Sequence, residues 1–154
     1  GEPDKRYATK YALFDINGDK IPELHVKSAR YYYILSCIDN ELIIWKNLSP
    51  YPHYYPLNNG AFMSHRIGAA SMYDEYNYFI LDYTGNEIWG ITFSKYDTDG
   101  NGVYDAEDKY CIGDVIVDKQ LWKGLTEQFL YSDENGIEHI RNEIEWVTIF
   151  EDTN

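Results

Sequence analysis

Residues 75–97, EYNYFILDYTGNEIWGITFSKYD, constrain the fold most, because two strand-like arms flank the turn-forming Thr84-Gly85-Asn86. The second arm alternates apolar residues with small or polar ones. This is the period of a strand that has one face on a core and one face in water. The segment therefore predicts an antiparallel β-hairpin. Its core face is predicted to hold Trp89, Ile91 and Phe93, and its water face Gly90, Thr92 and Ser94.

A second hairpin is predicted at residues 31–47, where Asp39-Asn40 forms the turn. If that turn has two residues, Cys37 lies opposite Leu42 and Leu35 lies opposite Ile44, and the four form one apolar face. The other predicted strands are residues 11–16, 23–28 and 61–67, and the predicted loop, which has three prolines, is residues 49–60.

The hydrophobic period changes near the C-terminus, where residues 117–131 predict a helix. Asp118 stands at the position of an N-cap. A short helical or irregular piece and a last strand over residues 144–150 follow. Many strands and then one helix predict an α+β fold, mainly an antiparallel β-sheet with one C-terminal helix packed on it. The helical stripe is predicted to contain Leu121, Trp122, Leu125 and Phe129.

Length and charge restrict the class of protein. A chain of 154 residues predicts a single domain over residues 1–154, of which residues 1–8 are expected to be flexible. The net charge of −13 argues against nucleic acid and anionic membrane surfaces as partners, and it suits a protein that carries divalent cations. No apolar run approaches the roughly 18 residues of a transmembrane segment. We expect a monomer.

Cysteine and histidine usage disfavours zinc and protease chemistry. Cys37 and Cys111 are 74 positions apart, so a structural zinc site is not expected. Buried free thiols are favoured, and a disulfide between the two stays open. The four histidines are scattered, no H-E-x-x-H or G-x-S-x-G is present, and a Cys-His nucleophile is not visible from sequence.

The segment YDTDGNGVYDAED, residues 96–108, has the spacing of an EF-hand calcium loop. Calcium takes 6 to 8 oxygen ligands, and alternate side chains of a chain that wraps the ion supply them. Gly102 stands at the sixth position, where the turn is sharp and a positive φ costs little. Asp replaces Glu at the last position; a solvated acidic turn is the alternative. The candidate ligands of this second acidic loop, residues 97–108, are Asp97, Asp99, Asn101, the carbonyl of Val103, Asp105 and Asp108.

A looser copy, the first acidic loop, occupies residues 15–23. Lys20 stands where glycine is preferred, so a left-handed conformation there would cost on the order of 1 kcal/mol. Val26 at the twelfth position supplies no ligand, and a structural Asp/Asn turn is the alternative to calcium. The candidate ligands are Asp15, Asn17, Asp19, the carbonyl of Ile21 and Glu23.

A third candidate site is the proline-stiffened YPHYYP, residues 51–56. Exposed aromatic rings can stack on sugars or dock a protein partner, although tyrosines that cover a small core are more common. The candidate ligand-binding residues are Tyr51, His53, Tyr54 and Tyr55.

The segment YALFDINGDKIPELHV resembles the short calcium loops of FG-GAP and VCBS-type repeats and of dockerins. More closely, the chain is similar to an uncharacterised domain of secreted proteins and lipoproteins of gut Firmicutes. The matching pieces are YALFDINGDKIPEL, YYYILS, FSKYDTDGNGVYDAED, LWKGLTEQFL and IEWVTI. The resemblance implies an exported calcium-bearing domain, and it implies no reaction.

These patterns predict a non-catalytic, calcium-stabilised module, extracellular or anchored at a bacterial cell surface, that binds a glycan or a protein partner. The start of the chain, GEPDKRY, fits removal of a signal or lipoprotein leader. The alternative is a hydrolase or an enzyme accessory domain whose carboxylate site the sequence does not reveal.

Overall fold

The computed structural model describes residues 9–49, 51–68 and 72–149, so the expected flexibility of residues 1–8 lies outside the described residues. Within these ranges the chain forms thirteen strands and one helix. The strands before the helix are β1 (Thr9–Phe14), β2 (Glu23–Lys27), β3 (Tyr32–Ile38), β4 (Glu41–Leu48), β5 (His53–Pro56), β6 (Phe62–Ile67), β7 (Tyr73–Leu81), β8 (Glu87–Tyr96), β9 (Lys109–Ile112) and β10 (Val115–Val117). Helix α1 (Lys119–Phe129), β11 (Tyr131–Glu134), β12 (Ile137–Ile140) and β13 (Val147–Ile149) follow.

The strands form three sheets, and every pairing is antiparallel. The first sheet has the order β13-β1-β2-β3-β4, the second has the order β10-β9-β8-β7-β6-β5, and β11 and β12 form a separate hairpin. The single helix comes late in the chain, as expected. The α+β, β-rich prediction is therefore confirmed.

Both predicted hairpins form. β7 pairs with β8 around the turn at Thr84-Gly85-Asn86, where the Asp82 side chain accepts hydrogen bonds from the N–H groups of Thr84 and Asn86. β3 pairs with β4 around Asp39-Asn40, both of which have positive φ, as a type I′ hairpin turn requires. The predicted register, Cys37 opposite Leu42 and Leu35 opposite Ile44, is confirmed.

The second sheet is covered on both faces. On one face its side chains pack with α1 and the β11–β12 hairpin in a cluster centred on Tyr76, Phe93 and Trp122. On the other face, Phe62 and Phe79 pack with Tyr32, Ile34 and Leu48 of the first sheet. Successive residues of β6 enter opposite clusters, since Phe62 and Met63 are both fully buried.

This double coverage corrects the predicted faces of β8. Ser94, expected to face water, is buried at 5% exposure, and it lies on the face of the second sheet that also carries Phe62 and Phe79. Trp89, expected in the core, is 53% exposed, because it lies near the tip of the hairpin, where its ring meets only the edge of Tyr78 among the aromatic contacts.

The predicted loop over residues 49–60 is wrong in part, because His53–Pro56 forms β5. β5 lies at the edge of the second sheet and pairs with β6 alone. Prolines are tolerated on an edge strand, where one side of the backbone needs no ladder partner.

The C-terminal region also differs from expectation. Asp118 is the N-cap of α1 and accepts a hydrogen bond from the Leu121 N–H, as predicted. The predicted apolar stripe is too wide, because Leu121 and Phe129 are half exposed while Trp122 is buried. The predicted helical or irregular piece is mostly the β11–β12 hairpin, which turns at Asn135-Gly136 with positive φ at both residues.

Both cysteines are free thiols, so no disulfide links them. Cys111 is buried as expected, whereas Cys37 is exposed because it lies on the outer face of the first sheet. Among the described residues, no helix is long and apolar enough to cross a membrane.

Burial of His25 predicts acid sensitivity. The ring is fully buried between the Tyr32 hydroxyl, 2.9 Å from Nδ1, and the Phe14 carbonyl, 3.3 Å from Nε2. Burial lowers the pKa of His25 from 6.5 to about 4, against the opposing effect of the Phe14 carbonyl. In the unfolded chain, His25 therefore becomes protonated below about pH 6.5, whereas in the folded chain it becomes protonated only near pH 4.

Stability should consequently fall by up to about 1.4 kcal/mol per pH unit across that window. Urea unfolding of the parent and of His25→Gln at near-neutral and mildly acidic pH measures this contribution. The variant should lose less stability on acidification, and the exposed His139→Gln should behave as the parent does. An equal loss in all three proteins would contradict the assignment to His25.

Candidate metal centre

The second acidic loop connects β8 to β9 and folds around Asp97, the residue after the end of β8. The Asp97 Oδ2 accepts a hydrogen bond of 2.7 Å from the Gly102 N–H. Asp99 Oδ1 accepts from the Asn101 N–H at 3.2 Å, and Asn101 Oδ1 accepts from the Val103 N–H at 2.9 Å. Side-chain oxygens at alternate positions thus organise the backbone, as Asp and Asn do in tight turns.

The first acidic loop, which connects β1 to β2, repeats this arrangement residue for residue. Asp15 Oδ2 accepts from the Lys20 N–H at 2.7 Å, five residues on, as Asp97 does from Gly102. Asn17 accepts from the Asp19 N–H and Asp19 accepts from the Ile21 N–H, each two residues on. The looser copy seen in the sequence is therefore a structural copy as well.

The backbone dihedrals repeat too. The fourth position has a positive φ in both loops, at Gly18 (80°) and Gly100 (69°). The sixth position also has a positive φ, at Lys20 (71°) and Gly102 (80°). Lys20 therefore adopts the left-handed conformation that its side chain disfavours, as the loop pattern implied.

Each loop gathers three carboxylates. In the second loop, oxygens of Asp97, Asp99 and Asp108 all lie within 4.8 Å of one another. In the first loop, oxygens of Asp15, Asp19 and Glu23 do the same. Glu23, the first residue of β2, is the last carboxylate of the first cluster and stands at the ninth position of its loop. Asp108, the last carboxylate of the second cluster, stands at the twelfth position.

One oxygen in each cluster is buried without a hydrogen-bond partner among the residues that the structure describes. Asp97 is 3% exposed, and its Oδ2 accepts from the Gly102 N–H while its Oδ1 has no described partner. Glu23 is 1% exposed, and its Oε2 accepts from the Ile16 N–H while its Oε1 has no described partner. A buried carboxylate oxygen without a donor is costly, and a bound cation would satisfy it.

The remaining predicted ligands are placed differently. Asp105 lies outside the carboxylate cluster and its Oδ1 caps the Glu107 N–H. Asn101 and Asn17 direct their Oδ1 atoms to backbone N–H groups within the loops. The side chains of Val103 and Ile21 are exposed, which leaves their predicted role to the carbonyl oxygens.

Mutual repulsion acts within both clusters. Burial raises the pKa of Glu23, and the charges of Asp19 and Asp15 add to this rise against the hydrogen bonds from Ile16 and Asn17. The Asn101 N–H lowers the pKa of Asp99, but the neighbouring Asp97, Asp108 and Asp105 outweigh it and raise the pKa overall. The Asp105 N–H bond holds the pKa of Asp108 below its usual value, and the Thr98 hydrogen bonds add to this.

The aromatic candidates at residues 51–55 do not form one patch. Tyr51 and His53 are exposed and meet edge to face at 5.6 Å. Tyr54 points the other way, toward Phe79 between the two sheets. Tyr55 packs against the helix-side cluster, with the Lys27 Nζ 4.7 Å from its ring centre.

A cleft of about 460 Å³ lies between the sheets, and Tyr54 forms part of its wall. Ser64, Asn77 and Thr92 share one row across β6, β7 and β8 at the floor of this cleft. The Thr92 hydroxyl donates to Asn77 Oδ1 at 2.6 Å, and Asn77 Nδ2 donates to the Ser64 Oγ at 3.4 Å. Sequence patterning missed this row because it interpreted the β8 residues as water-facing.

Sequence reasoning also missed a polar cluster on the helix side of the second sheet. The His65 Nε2 lies 2.8 Å from Asp74 Oδ1, and the Lys95 Nζ lies 4.0 Å from Asp74 Oδ2. Glu138 of β12 accepts a hydrogen bond from the Tyr76 hydroxyl at 2.7 Å. His53 and His65 are opposite one another on β5 and β6, so the histidines are closer in space than their separation in sequence suggested.

The left-handed Lys20 gives a prediction about the first loop. Lys20→Gly should raise the free energy of unfolding by about 1 kcal/mol, because glycine adopts this φ without a Cβ clash. Chemical denaturation in the presence of a chelator measures the backbone effect alone. Lys20→Ala is the control, since it removes the ammonium group and keeps the Cβ. Equal stabilisation by both substitutions would assign the effect to charge and contradict the backbone explanation.

Comparison with known proteins finds no match to a family model, to a curated protein or to a solved structure.

Proposed function

We propose that the two acidic loops bind calcium and that the protein is a non-catalytic, calcium-stabilised module. The observation that carries this proposal is the pair of buried, unpartnered carboxylate oxygens, Asp97 Oδ1 and Glu23 Oε1. Each belongs to a cluster of three carboxylates whose oxygens lie within 4.8 Å of one another. Without a cation, each loop would hold three carboxylates that repel one another and a buried oxygen without a hydrogen-bond donor. Both features destabilise the folded chain, and they occur in both loops.

The donor set favours calcium over other metals. Carboxylate, amide and carbonyl oxygens are hard ligands, which suit calcium and magnesium and not the thiolate- or imidazole-binding transition metals. A single loop that wraps around the ion favours the larger calcium, because magnesium requires near-ideal octahedral coordination and retains waters. Asp97, Asp99 and Asp108 would hold the ion of the second loop, and Asp15, Asp19 and Glu23 that of the first.

The position of the loops supports a structural role for the ion. Each loop joins two adjacent antiparallel strands, β1 to β2 and β8 to β9. One contiguous segment supplies the ligands of each loop, whereas a catalytic metal commonly has ligands from separate segments and an open position. Bound calcium supplies the positive charge that offsets carboxylate repulsion where the strands begin.

Extracellular calcium reaches the millimolar range in which extracellular modules bind the ion. A weak structural site of this type is therefore useful outside the cell. Together with the chain's resemblance to exported domains, this supports a place outside a bacterial cell or at its surface.

Removal of one carboxylate charge should weaken calcium binding at the second loop. Asp97→Asn keeps the side-chain size but supplies a neutral group at the buried position, so its calcium affinity should fall at least about tenfold. Calorimetric titration of calcium into both proteins measures this. Asp39→Asn, at an exposed hairpin turn, is the matched control and should bind as the parent does.

Calcium at a hundredfold excess over its dissociation constant should also raise the free energy of unfolding by about 2.7 kcal/mol. Identical thermal melts in chelator and in millimolar calcium would overturn the proposal.

A second proposal concerns the cleft between the sheets, which we suggest as the place where a glycan binds. Ser64 accepts from Asn77 and retains its own hydroxyl proton, while Thr92 donates to Asn77 and retains oxygen lone pairs. The floor therefore offers both a donor and an acceptor, which match a sugar hydroxyl. Leu48, Tyr54 and Phe79 supply the apolar wall that a sugar ring can contact.

The same cleft supports binding better than hydrolysis. Among the described residues that line it, Glu87 is the single carboxylate. Glycoside hydrolysis by acid–base chemistry uses two carboxylates on opposite sides of the bond. We therefore prefer a binding module to the hydrolase alternative.

Loss of the Thr92 hydroxyl tests the cleft. In NMR titrations with cellobiose, maltose, lactose and chitobiose, at least one disaccharide should shift the signals of cleft residues in the parent. Thr92→Val keeps the volume and should reduce that affinity severalfold, because it removes one polar contact worth about 1 kcal/mol. The exposed Thr148→Val should leave it unchanged. Absence of saturable shifts with all four sugars would reject this proposal and leave the calcium proposal standing.

A further inference from the structure

The outer face of the first sheet is apolar across all five strands. Leu13 lies opposite Leu24, Leu24 lies opposite Leu35, and Leu35 lies opposite Ile44, so one aliphatic row crosses β1 to β4. Strand neighbours point to opposite faces, and the inner face carries the buried Tyr32 and Ile34. The row therefore faces away from the core of the protein.

A second row runs parallel to the first. Val147 of β13 lies opposite Tyr11, and Tyr11 lies opposite Val26 on its other side. Val26 in turn lies opposite Tyr33, so this row crosses β13, β1, β2 and β3. The apolar outer face, as defined by these pairings and those of Cys37 and Ile149, consists of Tyr11, Leu13, Leu24, Val26, Tyr33, Leu35, Cys37, Leu42, Ile44, Val147 and Ile149. Two polar but uncharged residues lie on the same side of the sheet, Thr9 opposite Ile149 and Asn47 opposite Tyr33.

No charged residue belongs to the apolar outer face, although 25% of the chain is charged. Charges on the same strands occur at the alternate positions, as at Lys10 and Lys27. A sheet face that meets water normally carries polar and charged side chains. The uncharged composition indicates that another surface covers this face.

The area of the face suits an interface. Its most exposed members are Leu13 at 66%, Leu42 at 62% and Ile44 at 59% exposure. Each aliphatic side chain buries on the order of 100 Å² when it is covered, so the eleven residues form a patch of several hundred Å². Patches of that size mark interaction sites, and with its rim the face approaches the roughly 800 Å² that each partner contributes to a stable complex.

We propose that the apolar outer face is the interface of a homodimer, in which the first sheets of two copies pack face to face. Two identical uncharged sheets meet without burying an unpaired charge, whereas a partner with an ordinary charged surface would have to do so. Twisted sheets pack against each other at small angles, and a two-fold axis makes one patch self-complementary. The proposed dimer differs from the monomer expected from sequence, and its interface contains neither the acidic loops nor the cleft.

The net charge of −13 gives the dimer a diagnostic salt response. Two copies of like charge repel each other at long range, while the interface itself contains no ion pair to be screened. Added sodium chloride should therefore tighten the dimer. An interface that depended on salt bridges would weaken instead.

Sedimentation and light scattering of the full chain, from low to high micromolar concentration, test the proposal. The parent should reach twice its monomer mass of 18.1 kDa, and high salt should shift the transition to lower protein concentration. Leu13→Lys should reduce the mass to that of one chain. The control Ile116→Lys changes an equally exposed residue, 68% against 66%, on β10 of the other sheet and should remain dimeric.

A second measurement avoids substitution altogether. Cys37 lies on the apolar outer face and is exposed in a single copy, whereas Cys111 is buried. Its reaction with a thiol reagent should become severalfold slower as the protein concentration rises through the dimer transition. A parent that stays monomeric at every concentration and salt level, a Leu13→Lys variant that dimerises like the parent, or a Cys37 reactivity independent of concentration would each overturn the proposal.

Discussion

Packing on both faces of the second sheet is the constraint on which the rest of the molecule depends. Tyr76, Phe93 and Trp122 fill the helix side, and Phe62 and Phe79 fill the side toward the first sheet. Because the second sheet supplies both clusters, only the inner face of the first sheet packs against other described residues. Its outer face has no packing partner within residues 9–49, 51–68 and 72–149, and the polar row at Ser64, Asn77 and Thr92 becomes the floor of a cleft. The two candidate interaction surfaces thus follow from one packing arrangement.

The acidic loops depend on the same sheets. In each loop, the first ligand follows a strand and the last precedes or begins the next strand, so the cluster forms only when both strands are paired. Glu23 shows the dependence directly, since it is the first residue of β2 and is buried at 1% exposure with one oxygen bonded to Ile16. Folding therefore brings the carboxylates together at a cost, and a cation that offsets this cost stabilises the folded chain alone.

Local patterns predicted what depends on local physics. The turns at Asp39-Asn40 and Thr84-Gly85-Asn86, the cap at Asp118 and the loop ligands at alternate positions could all be predicted, because each depends on residues near in sequence. Residues whose burial is set by distant segments could not. Ser94 is buried although its strand pattern predicts exposure, and Leu121 is half exposed although the adjacent Trp122 is buried. The proline-containing β5 forms at a sheet edge, a position that depends on pairing with the distant β6 strand.

The distribution of charge connects the acidic loops to the apolar outer face. The chain has a net charge of −13, and six of its carboxylates lie in the two clusters of the acidic loops. The outer face of the first sheet, to which the strands before and after the first loop both contribute, carries none.

This separation of carboxylates from the apolar outer face also affects association of two copies. Two divalent cations would reduce the net charge by four units, and this would weaken repulsion between copies as well as within the loops. Calcium would then favour association without contacting the interface. If calcium and added sodium chloride lower the dimer dissociation constant equally, the effect comes from reduced long-range repulsion. If calcium alone lowers it, binding of calcium changes the conformation of the loops and, through them, of the first sheet.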